Sequence, residues 1–233
     1  MNNPTLSIVL PCYNESGNLK NLLDAYKRVI VRDDIEIIIV NNGSLDETGS
    51  LLEEIKDTYS FLRIVTIVKN EGYGNGVITG LKEAHGKYIG WSHGDLQTPP
   101  EDVVRALEII EKDNLNNFLI KGRRYGRPFA DEVFTVGMSV FETVLFGKVL
   151  YDINAQPNIF PKEFFEEWVH PPLDFSLDLY VLHLAKSKRM NVIRFPVEFR
   201  KREAGVSSWN ISWSSKWKFI KRTLSFSFKL RFS

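Results

Sequence analysis

The sequence has one cysteine and no long uninterrupted run of apolar residues. Because Cys12 has no second thiol to pair with, an intrachain disulfide is excluded, which fits a reducing compartment. A transmembrane helix needs roughly 18 consecutive apolar residues, and no stretch approaches that length. The first residues also lack the charged start and apolar core of a secretion signal. We therefore expect a cytoplasmic protein that is neither exported by that route nor membrane-spanning.

An excess of charge of one sign is also missing. The 30 lysine and arginine residues nearly balance the 29 acidic residues, so no nucleic-acid partner is expected. Internal repeats and low-complexity tracts are absent from the sequence. With 233 residues and 43% hydrophobic content, the chain is long enough for one substantial folded domain.

What the sequence does contain is a regular alternation of apolar strands and amphipathic helices. Strands are predicted at residues 6–10, 35–40, 62–68, 87–91, 118–121 and 191–200. Helices are predicted at residues 19–30, 46–57, 74–85, 101–112, 132–149 and 175–186. Because the early strands are apolar nearly throughout, we expect an α/β fold with a mainly parallel sheet and helices on both faces.

Polar segments follow four of these strands. They are Pro11-Cys12-Tyr13-Asn14-Glu15, Asn41-Asn42, Lys69-Asn70 and His93-Gly94-Asp95. Ligands of open parallel sheets bind beyond the carboxyl ends of the strands, so we expect a binding site where these segments meet. A carboxylate such as Asp95 can hold the cation that neutralises a diphosphate, although an aspartate at this position is also a common helix or turn cap.

The glycine-rich stretch Gly72-Tyr73-Gly74-Asn75-Gly76 lies between a strand and a helix, where a dinucleotide-binding motif would lie. The third glycine of that motif is missing in both registers, because Val77 or Thr79 occupies its position. A dinucleotide site is therefore not expected. The glycines indicate instead that the backbone passes close to a ligand or to the sheet.

Several short motifs in a fixed order resemble one known family. They are Pro11-Cys12-Tyr13-Asn14-Glu15, Asn41-Asn42-Gly43-Ser44-Leu45-Asp46, Asn70-Glu71-Gly72-Tyr73-Gly74, Gly94-Asp95-Leu96-Gln97 with Pro99-Pro100-Glu101, Gly122-Arg123-Arg124, an Asp-led loop at 152–160, and Arg202-Glu203-Ala204-Gly205-Val206-Ser207. In this order they resemble the family 2 glycosyltransferases of GT-A fold. The chain is most similar to the polyprenyl-phosphate, or dolichol-phosphate mannose synthase-like, branch of that family over about residues 5 to 210.

The resemblance implies a Rossmann-like GT-A catalytic domain over residues 1–205. It also implies an inverting, nucleotide-sugar-dependent glycosyltransferase that acts in cell-surface glycan synthesis. The donor would be a nucleotide-sugar, and the acceptor a polyprenyl phosphate or a lipid-linked saccharide.

Site roles follow from the same resemblance. The nucleotide would be bound by Pro11, Tyr13, Glu15, Asn41, Asn42, Lys69, Gly94 and Asp95. A divalent metal, Mn²⁺ or Mg²⁺, would be held by Asp95, Gln97 and His93. Arg124 and Arg202 would neutralise the leaving diphosphate or an acceptor phosphate, although each could equally form a surface ion pair.

Two positions depart from the family pattern. His93 stands where the family has a first metal-binding aspartate, which weakens a site for Mg²⁺ and favours Mn²⁺ relative to it. Metal ligation, hydrogen bonding to phosphate and simple packing all stay open for this histidine. Asn41 replaces a carboxylate at the base-binding turn, and since an amide both donates and accepts, the nucleobase stays open. These changes leave an alternative, a non-catalytic nucleotide-sugar binding protein with a degraded metal site.

A hydroxyl acceptor would need a general base, whereas a phosphate acceptor is already anionic. Asp174 and Asp178 are the candidates, since they lie four residues apart and could share one helix face. Asp178 matches the family's acid better and is preferred. Acids at a helix start are also common for purely structural reasons, and that reading stays open.

The C-terminal segment, residues 206–233, has the pattern of a basic amphipathic helix. Apolar residues recur every three or four positions at Trp209, Trp213, Trp217, Ile220, Leu224 and Phe228, and no acidic residue follows Glu203. Such a composition is typical of an anchor at a membrane surface, here the inner face of the cytoplasmic membrane. Docking on the catalytic domain or on a partner is the alternative, and self-association into a homo-oligomer is left open.

Overall fold

The protein is described by a computed structural model that covers residues 3–200 and 213–232. Its core is a seven-stranded sheet with the strand order β3-β2-β1-β4-β6-β5-β7. The strands are β1 Leu6–Cys12, β2 Ile35–Asn42, β3 Leu62–Ile67, β4 Tyr88–Trp91, β5 Phe118–Tyr125, β6 Asn158–Pro161 and β7 Asn191–Glu198.

The predicted mainly parallel sheet is confirmed. Strand β1 pairs parallel to both β2 and β4, β2 pairs parallel to β3, and β5 pairs parallel to β7. Strand β6 lies antiparallel between β4 and β5. The expectation of a loop over residues 152–160 is wrong for its last residues, because β6 begins at Asn158. A strand of four residues carries too little periodicity to be recognised from sequence.

Helices cover both faces of the sheet, as predicted. They are α1 Leu19–Val29, α2 Thr48–Ile55, α3 Tyr73–Lys82, α4 Glu101–Lys112, α5 Phe129–Phe146, α6 Lys162–Glu166, α7 Leu177–Ser187 and α8 Trp213–Phe232. Successive side chains of β1 enter different cores: Ile8 packs with α1 and α4, and Val9 packs with α3 and α7. This alternation is the two-residue period of a strand, and it explains why both of its faces are apolar.

Several element boundaries differ from the predictions, and two of them have a clear structural cause. Strand β5 continues four residues beyond the predicted end at Lys121, because it pairs with β7 as far as Tyr125 opposite Glu198. Helix α5 ends at Phe146 instead of Val149, since Gly147 adopts a left-handed conformation with φ 64°. Pairing partners and local backbone conformation therefore decide these boundaries.

Candidate active site

The loops that follow β1 and β2 are locked together at the carboxyl edge of the sheet. The backbone N–H of Leu45 donates to Asn14 Oδ1 at 2.8 Å, and the N–H of Asn14 donates to Ser44 Oγ at 3.0 Å. The N–H of Ser44 also donates to Asn41 Oδ1 at 3.2 Å. Asn14 adopts a left-handed φ of 55°, a conformation that asparagine tolerates better than most residues. The two loops thus form one fixed wall of the site.

The predicted nucleotide-binding residues of these loops have different surroundings. Tyr13 exposes 43% of its surface, so its ring is accessible at the edge of the site. Glu15, Asn41 and Asn42 are buried. The Asn42 amide donates to the carbonyl of Gly72 at 3.0 Å, so this side chain ties β2 to the loop before α3. Lys69 is exposed on the loop after β3.

The glycines before and within α3 make close backbone contacts. A Cβ on Gly74 would lie 2.5 Å from the carbonyl oxygen of Pro172, and a Cβ on Gly72 would overlap the carbonyl of Leu173. The predicted approach to the sheet is wrong for both positions, since the neighbour is the segment that precedes α7. It is right for Gly76, whose Cβ would lie 2.9 Å from the amide of Asn42 at the end of β2.

Asp95 lies where β4 leaves the sheet, and it is 4% exposed. Its Oδ1 accepts a hydrogen bond from the backbone N–H of Gln97 at 3.1 Å. A Cβ on Gly94 would lie 2.8 Å from Cys12 Sγ, so the loop packs tightly on the end of β1. Burial, with the nearby carboxylates of Glu15 and Asp95, raises the pKa of the Cys12 thiol. The structure therefore brings these two predicted acids to the same strand end.

The two other predicted metal ligands are engaged with the end of β7. The His93 ring packs edge-on against Phe199, with centroids 5.7 Å apart. The Gln97 side-chain amide lies 3.4 Å from the carbonyl of Arg200, and the N–H of Arg200 donates to the Gln97 carbonyl. Within residues 3–200 and 213–232, no three acidic, histidine or cysteine side chains form a metal-binding group. Asp95 fits a cation that arrives with a diphosphate, because such ions take most ligands from phosphate and water.

Arg124, at the end of β5, forms an ion pair with Asp152, in which Nε and Nη2 both donate to Oδ1. Its Nε lies 2.8 Å from Asp152 Oδ1, and its backbone N–H donates to Asp152 Oδ2 at 2.8 Å. The pair is almost fully buried, so the surface ion pair considered for Arg124 is instead an interior one. Burial raises the pKa of Asp152, but the charges and hydrogen bonds of Arg124 bring it below its ordinary value. The other predicted arginine, Arg202, lies outside the described residues.

The two candidate bases do not share a helix face, contrary to prediction, because α7 begins at Leu177 and Asp174 precedes it. Asp174 accepts a hydrogen bond from the N–H of Ser176 at 2.8 Å and lies 3.1 Å from Arg222 Nε of α8. It thus fits the structural role of an acid at a helix start. Asp178, in the first turn of α7, is 2% exposed and points into the interior.

Comparison with known proteins decides the family of the chain. The family model described as "Glycosyl transferase family 2" matches residues 7–154, which is more than half of the chain. The chain belongs to glycosyl transferase family 2. This family 2 chain is 26% identical over 208 residues to a dolichol-phosphate mannosyltransferase of Pyrococcus furiosus, covering 87% of the chain and 58% of that protein. It is 33% identical over 111 residues to an undecaprenyl-phosphate 4-deoxy-4-formamido-L-arabinose transferase of Pseudomonas fluorescens, covering 46% and 32%.

The relatives are longer proteins, since the chain spans only 58% and 32% of these two. Solved structures show the same fold at low identity. A glucosyl-3-phosphoglycerate synthase of Mycobacterium tuberculosis, in complex with Mn²⁺, UDP-glucose and phosphoglyceric acid, has a TM-score of 0.73 at 15% identity, covering 98% of this chain and 79% of that chain. TarS of Staphylococcus aureus with UDP-GlcNAc has a TM-score of 0.58 at 18% identity, covering 88% and 63%.

The candidate site is accompanied by buried polar residues that sequence reasoning missed. Lys121 of β5, Asn158 of β6 and Trp91 of β4 lie beside one another across the sheet. Tyr73, at the start of α3, accepts a hydrogen bond from Gln156 Nε2 at 2.6 Å. Burial and the charge of Asp178 raise the pKa of the Tyr73 hydroxyl. One signal was present in the sequence, namely a lysine at the end of an otherwise apolar strand. A lysine that is buried with such a strand requires a charged or hydrogen-bonding partner, so this position could have been singled out.

The C-terminal helix α8 packs on α5, which bears out docking on the catalytic domain for the described part of the tail. The Phe141 and Phe228 rings meet edge-on, 6.1 Å apart, and Arg231 Nε donates to the carbonyl of Leu145 at 3.0 Å. Trp217, Phe228 and Phe232 are nevertheless exposed. Among the described helices, α8 included, none combines the length and apolar character that crossing a membrane requires. Trp209 lies outside the described residues.

Proposed function

We propose that this family 2 chain transfers a sugar from a nucleotide-sugar to a polyprenyl phosphate or a lipid-linked saccharide, in the synthesis of a cell-surface glycan. The observation that carries the proposal is the meeting of Tyr13, Asn41 and Asp95 at the carboxyl edge of the sheet. A parallel sheet binds its ligands there, and this edge combines an accessible aromatic ring, an amide and a carboxylate. The names of the polyprenyl-phosphate transferases among the relatives support the acceptor class.

The exposed Tyr13 ring offers a face on which a nucleobase can stack, and Asn41 would meet the edge of the base. Asp95, at the end of β4, would lie on the diphosphate side. Because Asn41 Oδ1 already accepts the N–H of Ser44, its amide NH₂ would be the group that donates to a base. A base that presents a carbonyl oxygen at this edge would fit that donor.

A divalent cation, Mn²⁺ or Mg²⁺, would be held by Asp95, with His93 and Gln97 at the neighbouring positions. Its chemistry would be to neutralise the charge that develops on the departing diphosphate. The Mn²⁺ in the solved glucosyl-3-phosphoglycerate synthase supports a divalent ion, because that protein shares the fold. The packing of His93 against Phe199 and the contact of Gln97 with Arg200 leave Asp95 as the main protein ligand.

The reaction would be a direct displacement at the anomeric carbon with inversion. A phosphate acceptor attacks as an anion, and a saccharide hydroxyl would pass its proton to a base, for which Asp178 is the candidate. Arg124 lies at the end of β5, although its charge is already neutralised by Asp152. Its role toward an acceptor phosphate would therefore depend on partial release from that carboxylate.

Helices α5 and α8 support peripheral binding at the inner face of the cytoplasmic membrane. Their surface, here called the α5–α8 surface, exposes five apolar residues of α5 that are between 50% and 80% exposed, Phe129, Val133, Val136, Val140 and Val144. Of the exposed positions within Phe129–Phe146, Glu132 alone is charged. The adjacent α8 adds the exposed cations Lys221, Lys229 and Arg231, which complement anionic lipid headgroups.

The proposal is tested by incubating the purified chain with a panel of labelled nucleotide-sugars, a polyprenyl phosphate in anionic vesicles, and Mn²⁺ or Mg²⁺. Transfer of label to the lipid phase is the expected result. Binding of a nucleotide-sugar without any transfer or hydrolysis would contradict it. That outcome would favour a non-catalytic nucleotide-sugar binding protein, the alternative that His93 at the metal position raises.

A further inference from the structure

A lysine side chain is completely buried within the sheet. Lys121 is 0% exposed and lies in β5, between Asn158 of β6 and Arg194 of β7. Its Nζ donates to the carbonyl of Ala155 at 3.0 Å and contacts Asn158 Oδ1. Burying an ammonium group is costly unless the group is paired and hydrogen-bonded, so these contacts offset the cost of burying Lys121.

The carboxylate that balances this charge belongs to Asp178. Its Oδ1 lies 3.7 Å from Lys121 Nζ and accepts a hydrogen bond from Asn158 Nδ2 at 3.1 Å. Asn158 therefore bridges the two charged groups, with its carbonyl toward the lysine and its amide toward the aspartate. The contacts with Asn158 and Lys121 thus restrict the orientation of the Asp178 carboxylate at the start of α7.

Burial acts against the charged forms of both groups. It raises the pKa of Asp178, and the charge of Lys121 is the largest influence that opposes the rise. It lowers the pKa of Lys121 to about 7, again opposed by Asp178. Arg124, Arg194 and Asp152 are the other charged groups near the pair, and the hydroxyl of Tyr73 also faces Asp178.

We propose that Lys121 is a positioning residue that orients the Asp178 carboxylate and favours its ionised state, and that sugar transfer to a hydroxyl acceptor requires this state. The proposal rests on the proposed function, in which Asp178 is the candidate base. An ionised carboxylate can accept the proton of an acceptor hydroxyl, and a protonated one cannot. Lys121 itself touches no reacting atom in this scheme.

The test is the pH profile of transfer to the hydroxyl group of a lipid-linked saccharide by Lys121→Met, measured beside the unaltered chain and Asp178→Asn. Without the ammonium, Asp178 binds its proton at higher pH, so the acidic limb should move up by about one unit. At a pH on that limb, activity should fall about tenfold and recover as the pH rises. Lys162→Met is the matched control, because that partly buried lysine donates to the carbonyl of Ala84. Its profile should not move.

A second measurement covers the case in which Lys121→Met folds poorly. The thermal midpoint of Lys121→Met is compared with that of Lys121→Met/Asp178→Asn between pH 5 and 8. In Lys121→Met the pKa of Asp178 is raised in the folded state, and the resulting stability is present at low pH and lost as the pH rises. The thermal midpoint of the single variant should therefore fall relative to that of the double variant between pH 5 and 8. If the thermal midpoints of the two variants changed in parallel with pH, the proposed effect of Lys121 on the ionisation of Asp178 would be overturned.

The outcomes separate the two proposals. Absence of transfer by the unaltered chain would contradict the proposed function, and the midpoints would still decide whether Lys121 controls the ionisation of Asp178. Transfer by the unaltered chain, with superimposable pH profiles for Lys121→Met and the control, would overturn the role of Lys121.

Discussion

Ser227 of α8 donates a hydrogen bond to Glu142 of α5 at 2.6 Å, and both residues are completely buried. The second carboxyl oxygen of Glu142 has no hydrogen-bond partner among the described residues. An ionised carboxylate with so few partners is costly in an apolar interface. The interface between these helices therefore favours the protonated form of Glu142.

The first prediction concerns the pH dependence of this interface. Burial raises the pKa of Glu142 from 4.5 to about 7. Because the folded pKa lies above the unfolded one, the stability is present at low pH and lost as the pH rises through about 7. Glu142→Gln keeps a hydrogen-bonding amide without the charge, and it should be more stable than the unaltered chain by about 3 kcal/mol at pH 8.

Thermal unfolding from pH 4 to 8 measures this difference, which should become small at pH 4, below the unfolded pKa of 4.5. Glu132→Gln is the control, since this glutamate is exposed on the same helix. A pH-independent difference for Glu142→Gln, or an equal pH dependence in the control, would speak against a buried acid at this interface.

The second prediction concerns the diphosphate site. Asp95→Asn removes the carboxylate charge but keeps an oxygen that can accept the N–H of Gln97. Affinity for a nucleoside diphosphate in the presence of Mn²⁺ should fall at least about tenfold, because charge-assisted contacts contribute about 1.5–3 kcal/mol. Calorimetric titration with and without Mn²⁺ measures it, and the exposed Asp113→Asn is the control. Equal metal-supported binding by Asp95→Asn would place the site elsewhere.

The third prediction compares two glycines in helices. A Cβ at Gly74 would lie 2.5 Å from the carbonyl oxygen of Pro172, whereas a Cβ at Gly137 of α5 would meet nothing within 4 Å. Gly74→Ala should lower the free energy of unfolding by about 1–3 kcal/mol, because backbone must move to admit the methyl group. Gly137→Ala should raise it by about 0.5–1 kcal/mol, since alanine restricts the unfolded chain more. Urea unfolding measures both, and equal effects would refute the close packing of α3 on the segment before α7.

The fourth prediction concerns the α5–α8 surface. The double variant Val136→Asp/Val140→Asp should bind anionic vesicles at least about a hundredfold more weakly, since each valine that enters the interface contributes about 1.5–3 kcal/mol. Co-sedimentation measures the bound fraction. Val31→Asp is the control, because Val31 is 90% exposed in the loop after α1. Undiminished binding by the double variant, or the same loss in the control, would reject this surface as the membrane contact.

Much of the site was accessible from sequence because its parts are local. Asp95 lies in the loop after β4 and Asn41 lies near the end of β2, so the topology of a parallel sheet was enough to bring both to one edge. The predicted residues at the other metal positions were found at that edge as well, but with protein partners that sequence could not name. His93 contacts Phe199, which lies over a hundred positions later in the chain.

The residues that sequence reasoning missed depend on long-range pairing. Asn158 and Lys121 become neighbours of Asp178 only because β6 inserts antiparallel between β4 and β5. Likewise, Gly74 is constrained by Pro172, which belongs to the segment before α7. No periodicity in a single segment carries such information.

The sequence by itself determined the family, the alternation of strands and helices, and the edge of the sheet where the polar loops collect. These follow from burial patterns with periods of two or three to four residues, which act over one element at a time. The tertiary structure alone decided which buried polar groups are paired: Arg124 with Asp152, Asp178 with Lys121, and Glu142 with Ser227. The reason is physical, since a buried charge requires a partner, and only the packing of distant elements supplies it.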